Sequence, residues 1–299
     1  MDWLARMNAT MDYVEENLCG EIDYAVLERL ACCSAHTFFK MFSYVADVSL
    51  AEYIRRRRLT LAALELQGGG VKVIDVALKY GYESPTSFAR AFSALHGLTP
   101  TQAKKGGAEL KAYPRISFQM AITGREHLNY RLEKKPAFSV FGMEGLFRMD
   151  ESGEPPRTPA DLWAAAHASG AIAKLDADAG SLPAFVGQNM DRVHAICSYK
   201  AVPAGEFAYM ICAFADDDSQ TKGYTVLDVA AHTWVIFPSG KFKWADFDGV
   251  IEGLYKRFFA EWLPASGYEQ VDGLDMEIYG GDAEFGQFEL WFAVRKMED

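Results

Sequence analysis

Along the first hundred residues, apolar positions recur three and four apart, the helical period. Leu4, Met7, Met11, Val14 and Leu18 predict a helix over about residues 1–18, ended by Cys19-Gly20. Asp23 caps a short helix to about Ala31, and Cys32-Cys33 make a tight break. Ser34 caps the next helix, whose stripe is Phe38, Met41, Phe42 and Val45. Ser49-Leu50-Ala51-Glu52 is a capping box opening a longer helix to about Leu66, stopped by Gly68-Gly69-Gly70. A helix over Val73–Tyr80, a turn at Gly81-Tyr82 and a helix capped by Ser84 follow, the last with stripe Phe88, Ala91, Phe92 and Leu95. Thr99-Pro100-Thr101-Gln102 is another capping-box start, with proline at the favoured first position.

From Lys104 to about Ala112 the chain turns small and polar, as a linker does, and beyond it the period changes. Ile116–Ile122, Phe138–Phe147, Phe185–Met190, His194–Lys200, Phe207–Phe214, Tyr224–Ala230, Thr233–Phe237, Leu274–Tyr279 and Phe288–Val294 are short and rich in aromatic or β-branched residues, and read as strands. Two helices interrupt them, one from the Thr158 cap to Gly170 and one over Phe247–Leu263, ending before Pro264. The expected architecture has two domains. Residues 1–108 form an all-α domain of tandem helix-turn-helix units, and residues 113–299 an α+β domain of two pseudo-repeated strand-helix-strand-strand halves.

The first domain contains one device twice. Moving Ser84–Pro100 back by fifty residues aligns Ser84 with Ser34, Phe88 with Phe38 and Phe92 with Phe42. Two helices joined by a tight turn, with apolar residues four apart, outline a helix-turn-helix whose second helix enters the DNA major groove. By helical phase, His36, Thr37 and Lys40 face outward in the first copy, and Thr86, Ser87 and Arg90 in the second. Arg90 could grip a guanine edge or a phosphate, and Lys40 a phosphate. A joining helix about 26 Å long would let the two units reach successive major grooves about 34 Å apart.

Charge supports this division. The net charge of −11 argues against nucleic acid, yet residues 1–108 hold 12 Lys+Arg against 12 Asp+Glu, and the remainder holds 18 against 29. Phosphate binding depends on local cations, not on the chain total. The Arg55–Arg58 run lies in the neutral part; successive positions point about 100° apart, so all four cannot serve DNA. At least one member is expected to contact phosphate; Arg55 is counted among the DNA-binding residues, and Arg58 is suited to pair inside the domain. Half the residues are hydrophobic and 13% aromatic, so the chain is globular. No apolar run approaches the roughly 18–20 residues of a membrane span, and no export signal is evident. With five cysteines and no CxxC spacing, the reading is a cytoplasmic protein with reduced thiols and no metal or cofactor.

Residues 8–106 resemble the DNA-binding domain of AraC-family transcription regulators. The resemblance rests on Ser34, Phe38 and Phe42, on Glu52-Tyr53-Ile54-Arg55 with Arg58-Leu59, on Ala77 with Gly81-Tyr82, on Ser84, Phe88 and Phe92, and on Gly97-Leu98-Thr99-Pro100. It implies seven helices, with two helix-turn-helix units binding a double-stranded DNA site about two turns long; apart from the resemblance, RNA polymerase is a candidate partner. The usual glycine is replaced by Asp47, which tolerates left-handed geometry.

Residues 114–297 resemble the GyrI-like effector-binding domain through Leu274-Asp275-Met276-Glu277-Ile278-Tyr279 and Phe288-Glu289-Leu290-Trp291-Phe292-Ala293-Val294, and more loosely through 225–237. Strand alternation places Glu289 with Trp291, and Glu277 with Tyr279. Carboxylates beside aromatic rings suit a small aromatic or cationic effector. The resemblance implies that a pocket glutamate meets the cation, and Glu289 matches it best. Trp163, His194, Tyr209 and Trp234 are weaker candidates, since aromatic residues in strands are more often core. Two other readings of this domain stand beside effector binding. One is a hydrolase of small electrophiles with Glu277 or Glu289 as general base; the other is a ligand-free interaction module.

Overall fold

The computed structural model describes residues 3–105, 107–119, 128–148, 158–203 and 206–297. The chain opens with helices α1 (Trp3–Glu16), α2 (Tyr24–Ala31), α3 (Ala35–Ala46), α4 (Leu50–Gln67), α5 (Val73–Lys79), α6 (Pro85–His96) and α7 (Pro100–Ala103). Strands β1 (Arg131–Lys135) and β2 (Phe138–Arg148) precede α8 (Pro159–Ala168) and α9 (Ala171–Asp178). Then come β3 (Val193–Cys197), β4 (Glu206–Ala215), β5 (Thr225–Val229), β6 (His232–Lys243), α10 (Phe247–Lys256), α11 (Leu263–Ser266), β7 (Tyr268–Gly281) and β8 (Phe285–Lys296). Contacts divide the chain into two compact units, Met1–Cys32 with Ala46–Ala121, and Cys33–Val45 with Ile122–Asp299. The second helix of the first repeat, α3, therefore clusters with the second unit.

In the first unit, the core between α4, α5 and α6 is built on Leu59, Leu66, Val76, Ala77, Phe88 and Phe92, as the stripes predict. Ser49 and Ser84 accept from Glu52 N and Ser87 N, and Thr99 with Gln102 closes a capping box. Gly81, at φ 82°, makes the turn between α5 and α6. A Cβ there would come within 3.2 Å of Arg58 Nη1, so the absence of a side chain leaves room for the guanidinium. Gly97 (φ 78°) and its repeat equivalent Asp47 (φ 52°) both adopt the left-handed conformation expected at these helix ends.

The arginine run is spent inside this unit. Arg55 and Arg56 both bond Glu52. Arg57 pairs with Glu15 at 2.7 Å and donates to Tyr113 O, while Arg58 donates to the carbonyls of Leu18 and Gly20. The expected strand Ile116–Ile122 is not formed in its described part. Residues 107–119 run without strand pairing and are stitched to the helices, with Tyr113 N on Thr60 Oγ1, Ile116 N on Tyr53 OH, and Phe118 paired both ways with Asn8. Residues 120–122 lie outside the described residues. The segment 113–119, assigned from sequence to the second domain, thus packs with the first.

The second unit is an eight-stranded sheet in the order β1-β6-β8-β7-β3-β4-β2-β5, with every pair antiparallel. The order β2-α8-α9-β3-β4 repeats as β6-α10-α11-β7-β8, and β3 pairs with β7 at the centre. The outer strands are exchanged: β1 precedes β2 but pairs with β6, and β5 precedes β6 but pairs with β2. Phe185–Met190, expected as a strand, is a loop; Phe185 and Val186, with Leu182 just before it, pack on one face of the sheet. A second helix, α9, follows α8 after a turn at Gly170 (φ 76°). The helix expected to end before Pro264 runs on through a π-helical stretch, Arg257–Trp262, into α11. Pro264, the second residue of α11, follows this π-helical stretch directly, where the helix widens instead of stopping.

A close approach in the sheet gives a direct test. Gly142 of β2 opposes Cys212 of β4, and a Cβ at Gly142 would lie 1.9 Å from the Ile211 carbonyl oxygen. Gly142→Ala is expected to destabilise the second unit by about 3 kcal/mol, seen as a lower urea midpoint.

Candidate functional site

Register decides which side chains meet. Glu277 pairs with Leu290, and Glu289 with Ile278. Directly opposed residues share a sheet face, so the two glutamates point to opposite faces. Asp275, Glu277 and Tyr279 lie on the face that carries α8, α9 and α10, together with Tyr209 of β4.

Between these helices and the sheet is a cavity of about 1070 Å³, lined by Trp163 and His167 of α8, Ile172 and Asp176 of α9, and Trp244, Phe247, Asp248 and Ile251 before and within α10. Tyr209, Glu277 and Tyr279 come from the sheet, and Met190, Asp191, Arg192 and Val193 from the chain entering β3. Glu277 is 8% exposed. Its Oε2 accepts from Tyr209 OH at 2.8 Å and Tyr279 OH at 2.5 Å, and Trp163 Nε1 donates to Tyr209 OH at 2.8 Å. Burial pushes the Glu277 carboxyl above the ordinary glutamate value. The Tyr279 hydrogen bond and the charge of Lys40 resist that rise, Asp275 adds to it, and the Tyr209 hydrogen bond opposes it. Burial also raises both tyrosines well above their usual range, which keeps their protons available to the carboxylate. The lining holds four carboxylates against one arginine, and Arg192 is bonded to Asp176.

Four of the expected effector residues, Trp163, Tyr209, Glu277 and Tyr279, therefore meet at this cavity. Glu289, Trp291 and Trp234 do not, and Glu289, preferred from the sequence, lies on the other sheet face. Glu289 Oε2 accepts from Arg131 at 2.7 Å and from Trp291 Nε1 at 2.8 Å. Trp291 and Trp234 pack in the core of the opposite face, with Lys135 Nζ 4.0 Å from the Trp291 ring centre. His194 is buried and accepts from Tyr279 N through Nδ1. Sequence reasoning missed Asp176, Asp191, Asp248, Trp244 and Phe247, which lie in separate segments with no shared period.

The face of α3 expected to meet DNA is turned onto this same sheet. His36 stacks on Phe207 at 3.9 Å between centroids. A Cβ on Gly273 would fall 2.1 Å from Thr37 Oγ1, so the bulge at Asp272-Gly273 makes room for the helix. Lys40, its side chain 18% exposed, bonds Asp275 Oδ2 at 2.8 Å, and Asp275 is 1% exposed. Tyr44 stacks on Tyr255 at 4.9 Å. Positions 36, 37, 40 and 44 form one helical face, so the expectation that His36, Thr37 and Lys40 point to solvent is overturned here. Burial opposes the charge on Lys40, but Asp275 outweighs it and holds the ammonium above the ordinary lysine range. Burial, then Lys40, lowers His36 to about 3, leaving a neutral ring to stack.

In the second copy, Thr86 and Arg90 are exposed as expected. Ser87 is half-buried and engaged with Ser84, through both its backbone N and its hydroxyl. Arg55, partly exposed, is held by Glu52.

Residues 27–106 match a helix-turn-helix domain family, and residues 131–294, more than half of the chain, match the integron-associated effector binding proteins. The chain belongs to the AraC family, with an integron-associated, GyrI-like effector-binding domain as its second part. The HTH-type transcriptional activator AarP of Providencia stuartii is 39% identical over 92 residues, 30% of this chain and 66% of AarP. The chain thus spans just under two thirds of that relative. Regulatory protein SoxS of Salmonella typhimurium is 32% identical over 91 residues, 30% of this chain and 85% of SoxS. A solved structure of a candidate bacterial transcription regulation protein from Staphylococcus aureus MU50 shares 16% identity over 56% of this chain and 99% of that one, with a TM-score of 0.43. Among the described residues no helix is long and apolar enough to cross a membrane.

The raised carboxyl of Glu277 has a consequence for stability. Above its unfolded value of 4.5, the group favours the folded state only while protonated. That contribution is present below about 4.5 and is lost as pH rises through the higher folded value. Glu277→Gln cannot ionise, so it should gain stability relative to wild type as pH rises through this window. Urea titrations of both proteins from pH 4.5 to 8 check the sign of the difference.

Proposed function

We propose that this protein is a one-component transcription regulator. Its helix-turn-helix units bind double-stranded DNA, and its second unit binds a small aromatic cation in the cavity at Glu277. The observation that carries the effector reading is the buried Glu277 carboxylate, held by two tyrosine hydroxyls within a wall of aromatic rings. Trp163, Tyr279, Trp244 and Phe247 offer π-faces to a planar or cationic ligand. The surplus of carboxylates disfavours anions. An aqueous cation gives up hydration on entry, and a charged hydrogen-bonded carboxylate compensates only if it is preorganised, as Glu277 is.

For DNA, the support is the exposed Arg90 and Thr86 on α6, in a unit whose net charge is near zero while the rest of the chain is acidic. Cytoplasmic residence and contact with RNA polymerase go with this reading. A hydrolase is the second reading, favoured by the raised Glu277 carboxyl, which suits a general base. Mass spectrometry of the recovered ligand separates turnover from binding.

Calorimetry tests the effector site with tetraphenylphosphonium, a permanently charged aromatic probe, and with neutral triphenylphosphine oxide as comparator. Glu277→Gln should weaken the cation by about tenfold or more and leave the neutral compound unaffected. Glu289→Gln should leave both affinities within about twofold, because a side chain on the other sheet face has no ionic contact to lose. Equal cation affinity in wild type and Glu277→Gln would remove Glu277 from the site.

For the output, Arg90→Ala should lower affinity for a duplex selected in vitro with the full chain by about tenfold at physiological salt. Unchanged affinity would contradict the placement of α6 on DNA.

A further inference from the structure

We infer that Lys40 is a built-in counter-cation for the acids of the effector site, so that docking of α3 and binding of a cationic effector oppose each other. The inference rests on the proposed cation site at Glu277 and adds how that site is regulated.

Lys40 already has the partners a cationic ligand would seek. Its ammonium lies 2.8 Å from a carboxylate oxygen of Asp275 and 3.9 Å from the centre of the Tyr255 ring. Charge pairing and cation–π attraction meet on this one side chain. Tyr255 joins the two acids: its hydroxyl donates to Asp275 Oδ2 at 2.5 Å and lies 3.4 Å from Glu277 Oε1. Glu277 in turn accepts from Tyr209 and Tyr279 at the cavity wall. A continuous run of contacts thus leads from α3 through Asp275, Tyr255 and Glu277 to the cavity, all on one sheet face.

The charge balance makes the coupling opposing. Asp275 and Glu277 are two buried acids served by the single ammonium of Lys40, and Asp275 Oδ1 has no hydrogen-bond partner among the described residues. A cation arriving at Glu277 supplies a second positive charge to the same pair, in surroundings where charges are weakly screened. The new cation is attracted to Glu277 and repels the Lys40 ammonium, whose bond to Asp275 is the only ion pair described between α3 and the sheet. That helical face then keeps only uncharged contacts among those described, with His36 stacked on Phe207 and 3.9 Å from Cys197 Sγ, and Tyr44 stacked on Tyr255 and Phe259. The face released carries His36, Thr37 and Lys40, the residues that helical phase assigns to DNA. By linkage, whatever draws α3 off the sheet, duplex DNA included, raises cation affinity by the same factor.

Hydrogen exchange of the full chain, read over the α3 amides by mass spectrometry, tests this. Saturating tetraphenylphosphonium should speed α3 exchange in wild type by about tenfold while the central strands stay slow. Asp275→Asn and Lys40→Met each leave one buried charge unpaired, and each should show fast α3 exchange without the probe. The double variant removes both charges and should regain slow exchange, bind the probe through Glu277, and show no probe response in α3. Probe-saturated wild type with α3 still slow would overturn the coupling, as would single variants that leave α3 slow. Wild type that takes up no probe by calorimetry contradicts the cation reading of the cavity itself. The variants without probe then still decide whether the Lys40–Asp275 pair holds the helix.

Discussion

Two carboxylates two residues apart on the central strand β7, both turned into the protein, are the constraint on which the second unit depends. Asp275 and Glu277 leave water when the helices cover the sheet, and a buried charge is costly unless it is paired and hydrogen-bonded. Every polar group brought to them serves that need: Tyr209 and Tyr279 on Glu277, Tyr255 on Asp275 and close to Glu277, and Lys40 on Asp275. The tyrosines come from three elements, β4, β7 and α10, and fix how these elements stand on one another around the cavity. The π-helical stretch after α10 supports the same corner, with Phe258 stacked on Phe292 at 3.6 Å.

The acid that faces the cavity is only partly satisfied. Its donors are neutral hydroxyls, its carboxyl is raised by burial, and the walls around it are aromatic. Such a site has electrostatic capacity left for a cation, which is why the proposed effector is cationic. The acid beside it takes its cation from the chain itself. On this reading one acidic pair serves both the ligand site and the helix-holding site, and signal transfer needs a displacement no longer than a lysine's release.

Much of the fold was legible from local rules, because helix caps and stripes are short-range. Ser49, Ser84 and Thr99 cap where the pattern places them, and Phe88 and Phe92 fill the core their spacing predicts. The site was less legible because it depends on register. Alternation along β7 and β8 correctly paired Glu277 with Tyr279, but it could not say that Glu289 opposes Ile278 and so faces the other side. The acid at Asp275 was within reach, since Asp275, Glu277 and Tyr279 alternate on a single strand. The docking of α3 was not: its outward face is polar enough for DNA, and only the bulge at Gly273 and the acid at Asp275, more than two hundred residues on, give that face a second place to go. Segment 113–119 misled because its aromatic and β-branched residues bond to the helices through Thr60, Tyr53 and Asn8, not to a strand.

The most direct measurement is a crystal structure of the full chain grown with tetraphenylphosphonium. The account predicts the cation among Trp163, Tyr279 and Phe247 against Glu277, with the Lys40–Asp275 contact broken or lengthened. Density for the cation on the opposite sheet face beside Glu289, or none in the cavity at a concentration where calorimetry shows binding, would contradict it.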